Sequence, residues 1–174
     1  MIPKPLPSEY NDYYHKYIQP IPDQTDVLEL LLKQRQEVTQ LFGRVTESEA
    51  NFAYEPGKWS IKELLGHMND TERIMAYRAL CIARGEQTTL PGFDENAYVA
   101  NSGFSQRTLA GLLKEHQVIR EATVALFDTL PEEALSRVGS ANGSPVSVRA
   151  LAFIIAGHER HHLQILKERY LVKL

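Results

Sequence analysis

The sequence predicts an all-α protein, a four-helix bundle preceded by an extended N-terminal arm, and three observations support this fold class. Apolar residues recur every three or four positions along four long segments, the pattern of a helix that buries one face. No segment shows a convincing alternation of apolar and polar residues, which would mark a strand. The chain has 174 residues, 43% hydrophobic and 24% charged, as is typical of one soluble globular domain.

The N-terminal arm is predicted to cover residues 1–23, and the bundle domain residues 24–174. Five of the nine prolines fall within those first 23 residues. Proline interrupts helices because it lacks a backbone N–H and has a fixed φ. We therefore expect at most a short helix in the arm, between Ser8 and Tyr17. The first long helix should follow, from about Gln24 to Gly43.

The second helix should begin at Ser60 and end near Gly85. Ser60 stands three residues before Glu63, the spacing of a capping box in which each side chain bonds a free backbone N–H. Residues 86–103 contain several turn-forming residues and predict a long, partly irregular connection. Loops of this length in a small domain are often functional, so this one is a candidate cover for the mouth of a site.

The third helix is predicted to begin after a capping residue at Ser105 and to end at Pro131. A further loop leads to Ser147, which should cap the fourth helix. That helix is expected to run to Leu171, and its apolar stripe contains two histidines.

The charge and cysteine content exclude several classes of function. A net charge of -3 gives no broad cationic surface, so no nucleic-acid partner is expected. No apolar run approaches the roughly 20 residues of a membrane span, and the N-terminus lacks the features of a signal peptide. The lone Cys81 cannot form an internal disulfide. We therefore expect a cytoplasmic protein without a membrane partner, and a homodimer is a further expectation because bundles commonly bury a helix face against a copy.

Three histidines are predicted to point into the bundle. His158 and His162 are four residues apart, so both rings leave the same face of the fourth helix. His67 lies on the inward stripe of the second helix, whereas His161 should point about 100° away from the pair. Burying imidazoles without partners costs roughly 1 to 3 kcal/mol for each unsatisfied polar group. A shared metal ion would remove that cost.

Such a site would suit zinc, nickel, copper or iron, and three protein ligands leave a coordination position open. A metal in an open site lowers the pKa of bound water to about 7 or binds a thiol as its thiolate. A lone inward histidine, however, is more often a core residue with one hydrogen bond to the backbone. Spacing alone leaves both interpretations open.

Three other polar residues near the predicted site are ambiguous. Asp70 is a candidate catalytic residue, because it could accept the N–H of a ligating imidazole or take a proton near the ion. A solvent-facing carboxylate is the competing interpretation. Glu159 is adjacent to a predicted ligand but points about 100° away from it, which favours a surface or interhelix ion pair over a catalytic role. His116 should be structural or exposed.

Two segments of the sequence resemble the DinB-like family of damage-inducible, metal-dependent bundle proteins. They are Lys58-Trp-Ser-Ile-Lys-Glu-Leu-Leu-Gly-His67, which continues to Arg73, and Gly157-His-Glu-Arg-His-His-Leu-Gln-Ile-Leu166. The resemblance implies a divalent metal, zinc or nickel, held by His67, His158 and His162.

The family includes bacillithiol transferases and a mycothiol-dependent isomerase. The resemblance therefore implies a metal that activates a low-molecular-weight thiol, or water, against a small-molecule substrate. The alternative is a non-catalytic, stress-induced bundle in which the metal only ties two helices together.

Overall fold

Four long helices form a bundle in the computed structural model, which describes residues 1–174. Three short helices and one hairpin complete the chain. In chain order the elements are α1 (His15–Ile18), α2 (Val27–Phe42), α3 (Ile61–Ala83), α4 (Glu95–Ser102), α5 (Leu109–Asp128), α6 (Glu132–Ser136), β1 (Val138–Ala141), β2 (Ser144–Ser147) and α7 (Val148–Ile165). The predicted all-α, four-helix bundle is confirmed.

The long helices pack in an order that differs from their order in the chain. Helix α3 packs against α5 and α7, and α2 packs against the same two helices. The consecutive helices α2 and α3 therefore occupy opposite corners of the bundle. This arrangement places the inward faces of α3 and α7, which carry the three histidines, directly against each other.

The starts of the helices confirm the predicted caps at Ser60 and Ser147 and correct the one at Ser105. Ser60 Oγ accepts from the N–H of Glu63 at 3.3 Å, and Glu63 accepts from the N–H of Ser60 at 2.7 Å, which is the predicted capping box. Helix α5 is capped by Thr108, which accepts from the N–H of Gly111, and not by Ser105. Ser105 lies in a separate 3-10 turn, because the extended backbone of Arg107 interrupts the helix.

The region predicted to be a loop before the last helix is an antiparallel hairpin of β1 and β2. Asn142 and Gly143 form its two-residue turn with φ of 52° and 71°. Asn-Gly is the pair preferred when both central residues need positive φ. The strands are only four residues long, too short for an alternating pattern to show. The Asn-Gly pair was the available signal for this hairpin.

Residues 86–103 are more ordered than expected. Asp94 caps helix α4 by accepting from the N–H groups of Asn96 and Ala97. Before that helix, Leu90 donates to Ser140 and accepts from Asn142, which ties the connection to the hairpin. The segment therefore forms a fixed wall beside α3.

Residues 1–23 lie along α7, where α1 contacts that helix directly. Arg149 of α7 donates to both carboxylate oxygens of Glu9. Burial alone would raise the pKa of Glu9, but the bonds from Arg149 and the Leu6 N–H hold it below its usual value. The division between an arm and a domain at residue 23 stays a prediction. No helix in the chain combines the length and apolar character that crossing a membrane requires.

Candidate metal centre

The structure brings the three predicted histidines together between α3 and α7. The Nε2 atoms of His67 and His158 are 3.1 Å apart, and those of His162 and His158 are 3.0 Å apart. The three side chains are buried, with exposed fractions of 3%, 8% and 8% for His67, His158 and His162. All three present the same ring nitrogen to one point.

This arrangement cannot be satisfied by hydrogen bonds alone. A neutral Nε2 carries either one hydrogen or one lone pair, so it makes one hydrogen bond. The Nε2 of His158 has two nitrogen neighbours and can satisfy only one of them. Three nitrogens bound to one zinc ion at about 2.0–2.1 Å in a tetrahedral arrangement would lie about 3.3–3.4 Å apart. The donor set therefore fits a divalent metal ion better than a core of hydrogen-bonded histidines.

Burial keeps these imidazoles in the form that binds metal. Desolvation lowers the pKa of His67 to about 4. It also lowers the pKa values of His158 and His162, and the neighbouring imidazoles add to that effect. At neutral pH all three rings are therefore uncharged and offer lone pairs to a cation.

Two aromatic side chains cover the histidines. The Trp59 ring lies 4.6 Å from the His67 ring between centroids, and the Tyr17 ring lies 5.6 Å from the His158 ring. Trp59 precedes the α3 cap, whereas Tyr17 comes from α1, more than 130 residues away in sequence from His158. These rings shield the site from bulk water and strengthen electrostatic interactions inside it.

Asp70 lies near the cluster but does not touch it. It pairs with Arg73 at 3.6 Å, and no hydrogen bond joins it to any of the three imidazoles. Burial raises the pKa of Asp70, and the positive charge of Arg73 acts in the opposite direction. Its catalytic role stays a prediction. His161 is exposed and lies beside the cluster, with its ring centroid 5.2 Å from that of His162 and 5.5 Å from that of Tyr17, but it is not one of the three histidines whose nitrogens converge.

A cavity of about 550 Å³ reaches the cluster through His158. Its walls come from the arm, α3, the start of α4 and the hairpin turn, and α7. The wall includes Tyr14, Tyr17, Thr71, Arg78, Asp94 and Asn142. Such a volume lies in the range of small-molecule sites. The 86–103 connection therefore supplies one wall of the cavity.

A glycine beside His158 allows the arm to reach this cavity. A Cβ atom at Gly157 would lie 2.6 Å from the carbonyl carbon of Tyr17 and would also overlap its oxygen. We expect Gly157→Ala to push α1 off α7, lowering the free energy of unfolding by about 1–3 kcal/mol and uncovering His158. Urea denaturation and the accessibility of His158 to diethyl pyrocarbonate measure the two effects.

Gly111→Ala is the matched control, because a Cβ at that position would meet only the Thr108 hydroxyl, at 2.9 Å. Its unfolding free energy should change by less than about 1 kcal/mol. Equal stability and equal His158 modification in Gly157→Ala and the wild type would show that the arm does not depend on this contact.

A second buried cluster joins α3, α5 and α7 in the interior of the bundle. Arg120 of α5 donates to Glu72 on α3 and to Glu159 on α7, with distances of 2.6 to 3.1 Å. His116 meets Glu159 at 2.7 Å. The carboxylates and His116 could ligate a metal by distance alone, but the Arg120 guanidinium already compensates the carboxylates. Glu159 is thus in an interhelix ion pair, as one of the two interpretations held, and His116 is buried and structural.

The fold and the cluster define a four-helix bundle that gathers three imidazoles between two helices at the end of a cavity. The chain belongs to the DinB superfamily, whose model matches residues 30–166. A protein of Oceanobacillus iheyensis described as "Putative metal-dependent hydrolase" is 30% identical over 142 residues, which cover 78% of this chain and 81% of the relative.

Solved structures share the same fold. YfiT from Bacillus subtilis, described as "a probable metal-dependent hydrolase with an unusual four-helix bundle topology", aligns with a TM-score of 0.76 at 17% identity, covering 85% of this chain and 90% of its own. A mycothiol-dependent maleylpyruvate isomerase aligns with a TM-score of 0.66 at 15% identity, covering 84% of this chain and 60% of the isomerase. At these identities the likeness concerns the fold.

Proposed function

We propose that this chain is a metal-dependent enzyme in which His67, His158 and His162 hold a divalent ion, zinc or nickel, that activates a thiol against a small electrophile in the adjacent cavity. The main support for this proposal is that three buried, neutral Nε2 atoms converge on one point, where hydrogen bonds among them cannot satisfy all three. The metal would supply Lewis acidity, which lowers the pKa of a thiol or water at the open position.

The chain's own residues would bind and enclose the reactants. The aromatic rings of Trp59 and Tyr17 exclude water from the histidines. The Thr71 Oγ1 is buried without a hydrogen-bond partner, one turn along α3 from His67, and its residue lines the cavity. That hydroxyl is positioned to bind a polar atom of the substrate or an attacking water.

Hydrolysis is the second candidate, and the description of the Oceanobacillus relative favours it. In that case water replaces the thiol as the nucleophile, with the same three ligands and the same cavity. The thiol-dependent isomerase of like fold motivates placing the thiol first. A non-catalytic bundle with a structural metal is the remaining alternative, and a cytoplasmic homodimer stays a prediction.

Metal content tests the proposal first. The wild type, purified without a histidine tag, should contain close to one equivalent of divalent metal by elemental analysis, and His162→Ala should lose it. His161→Ala is the matched control, because this neighbouring ring is exposed and is not one of the three whose nitrogens converge. Absence of metal from the wild type, or its retention in His162→Ala, would contradict the proposal.

Cobalt substitution then distinguishes the candidate functions. If a thiol binds at the ion, adding it to the cobalt protein should produce a sulfur-to-cobalt charge-transfer band. A cobalt spectrum that no thiol changes, together with hydrolysis of model esters or amides, would favour the hydrolase. Metal that raises the melting temperature, with neither thiol binding nor turnover, would identify the structural alternative.

A further inference from the structure

The cavity that reaches His158 contains a buried arginine without an acidic partner. The Arg78 side chain lines the cavity and is 3% exposed. One Nη donates to the Pro91 carbonyl at 2.7 Å, and the other contacts the Met75 sulfur at 3.6 Å. No carboxylate lies within 4 Å of this guanidinium, since none of the ion pairs in the protein includes Arg78.

The other fully buried arginine shows how this chain compensates such a charge. Arg120 contacts two carboxylates, from Glu72 and Glu159. Removing a guanidinium from water costs several kcal/mol, and neutral acceptors such as a carbonyl recover only part of it. The neighbours of Arg78 are all neutral, and they include the Phe93 ring, whose centroid lies 5.9 Å from the guanidinium carbon, and Tyr14. No anion within 4 Å compensates the charge of Arg78, which lines the cavity.

The acidic residues of the cavity wall, Asp94 and Glu95, do not pair with Arg78, since neither carboxylate lies within 4 Å of its guanidinium. Asp94 is engaged as the cap of α4, where it accepts two backbone N–H bonds. Glu95 follows it on the exposed side of that helix. The nearby Tyr14 responds to the positive charge, because Arg78 lowers the pKa of Tyr14 against the larger raising effect of burial.

Arg78 also shares a helix face with the metal site. It lies 11 residues after His67 on α3, close to three full turns and about 16 Å along the axis. Thr71, between them, lines the same cavity. Helical side chains lean toward the N-terminus of their helix, and the Arg78–Met75 contact shows this direction. His158 and Arg78 both line this one cavity, so an elongated small molecule bound in it can contact both residues.

We propose that Arg78 is an anion-binding residue that selects a small molecule bearing a carboxylate, with the carboxylate at Arg78 and the reacting end at the histidines. The planar guanidinium matches a carboxylate with two parallel hydrogen bonds, a geometry that lysine does not reproduce. This inference rests on the proposed function for the reacting end, whereas the carboxylate preference itself is independent of the metal chemistry.

The test is calorimetry on the protein as purified with two pairs of probes. One pair is 6-mercaptohexanoate and 6-mercaptohexanamide, and the other is hexanoate and hexanamide, which lack sulfur. In the wild type each acid should bind at least about tenfold tighter than its amide, since hydrogen bonds between charged groups are stronger than those to neutral ones. Arg78→Met should reduce that ratio to below about twofold.

Two further variants separate recognition from anchoring of the Pro91 segment. Arg78→Gln keeps a donor for the Pro91 carbonyl without the charge, so it should keep the melting temperature and still lose the acid preference. Arg169→Met, which removes an exposed arginine, should preserve the preference. Equal binding of acid and amide by the wild type would overturn the proposal. The proposal would also be overturned if both Arg78 variants kept the preference for the acid, or if they lost affinity for acid and amide equally.

The two pairs also distinguish this inference from the proposed function. An Arg78-dependent preference for hexanoate, without any sulfur band in the cobalt protein, would support the anion site and count against thiol activation. A sulfur band without an acid preference would support thiol activation and overturn the role of Arg78.

Discussion

Replacing Arg120 with methionine should lower the free energy of unfolding by about 3–5 kcal/mol, because it leaves two buried carboxylates facing each other without a cation. Glu72 and Glu159 have exposed fractions of only 3% each. Arg120 also donates to the Leu31 carbonyl at 2.6 Å, so α2 loses a contact as well. Urea denaturation at pH 8 measures the effect.

The pH dependence of this deficit identifies its cause. Burial alone would raise the pKa of Glu159, but Arg120 and His116 together hold it below its usual value. Without the Arg120 cation, the folded-state pKa values of the carboxylates should rise above their unfolded values. Protonation then stabilises the folded variant at low pH and is lost as the pH rises, so the deficit should be smaller at pH 5 than at pH 8.

Two controls compare the stability contributed by the buried cation Arg120 with that of an exposed arginine. Arg35→Met breaks an ion pair with the largely exposed Glu121 and should cost less than about 1 kcal/mol. Adding Glu72→Gln and Glu159→Gln to Arg120→Met should recover part of the loss, since the uncompensated charges are removed. An Arg120→Met variant as stable as Arg35→Met would show that the cluster contributes little.

The sequence predicted the bundle well because helix periodicity is local information. The stripes that contain Leu64, His67 and Thr71 on one helix and Ile155, His158 and His162 on another already oriented the histidines inward. The capping box at Ser60 likewise depends on neighbouring residues only. The predicted start of α5 was wrong by a few residues. Ser105 and Thr108 can both cap a helix, and only the extended backbone of Arg107 decides between them.

The rest of the site was not predictable from spacing, because it depends on contacts between distant segments. Tyr17 reaches His158 only because Gly157 lets α1 lie directly on α7. The sequence suggested no charge partner for Glu159. Its pairing with Arg120 depends on α5 packing against α2 and α3, so that the Arg120 side chain crosses the bundle interior to α7. In the sequence, Arg78 is one more residue on the inward-facing side of α3, and only the structure shows that it has no acidic partner.

The two buried clusters assign different tasks to adjacent residues. His158 and Glu159 are consecutive on α7, so their side chains leave the helix about 100° apart and enter different clusters. The Glu159 side is compensated by Arg120 and His116, whereas the His158 side keeps nitrogens that need a cation. The ionic cluster fixes α3 and α7 relative to each other through α5. It therefore positions His67 opposite His158 before any ligand binds.

Removing the metal should make stability strongly dependent on pH in the acidic range. The pKa of His67 is about 4 in the folded chain, below the ordinary 6.5, because burial disfavours the charged ring. Between these values the unfolded chain binds the proton more readily, so stability is complete above pH 6.5 and is lost as the pH falls toward 4. For His67 alone the loss is about 3 kcal/mol, and the lowered pKa values of His158 and His162 add to it.

Denaturation of chelator-treated protein at several pH values between 4 and 8 checks this expectation. His67→Gln should flatten the dependence, because glutamine does not titrate, whereas His161→Gln should change it much less, since that ring is exposed. Metal-loaded protein should be more stable than metal-free protein at pH 7, and the difference should shrink on acidification as protons compete for the same nitrogens. A metal-free protein equally stable at pH 7 and pH 4.5 would mean that the imidazoles are hydrated enough to protonate in the folded state. The buried, neutral cluster on which metal binding depends would then not exist in solution.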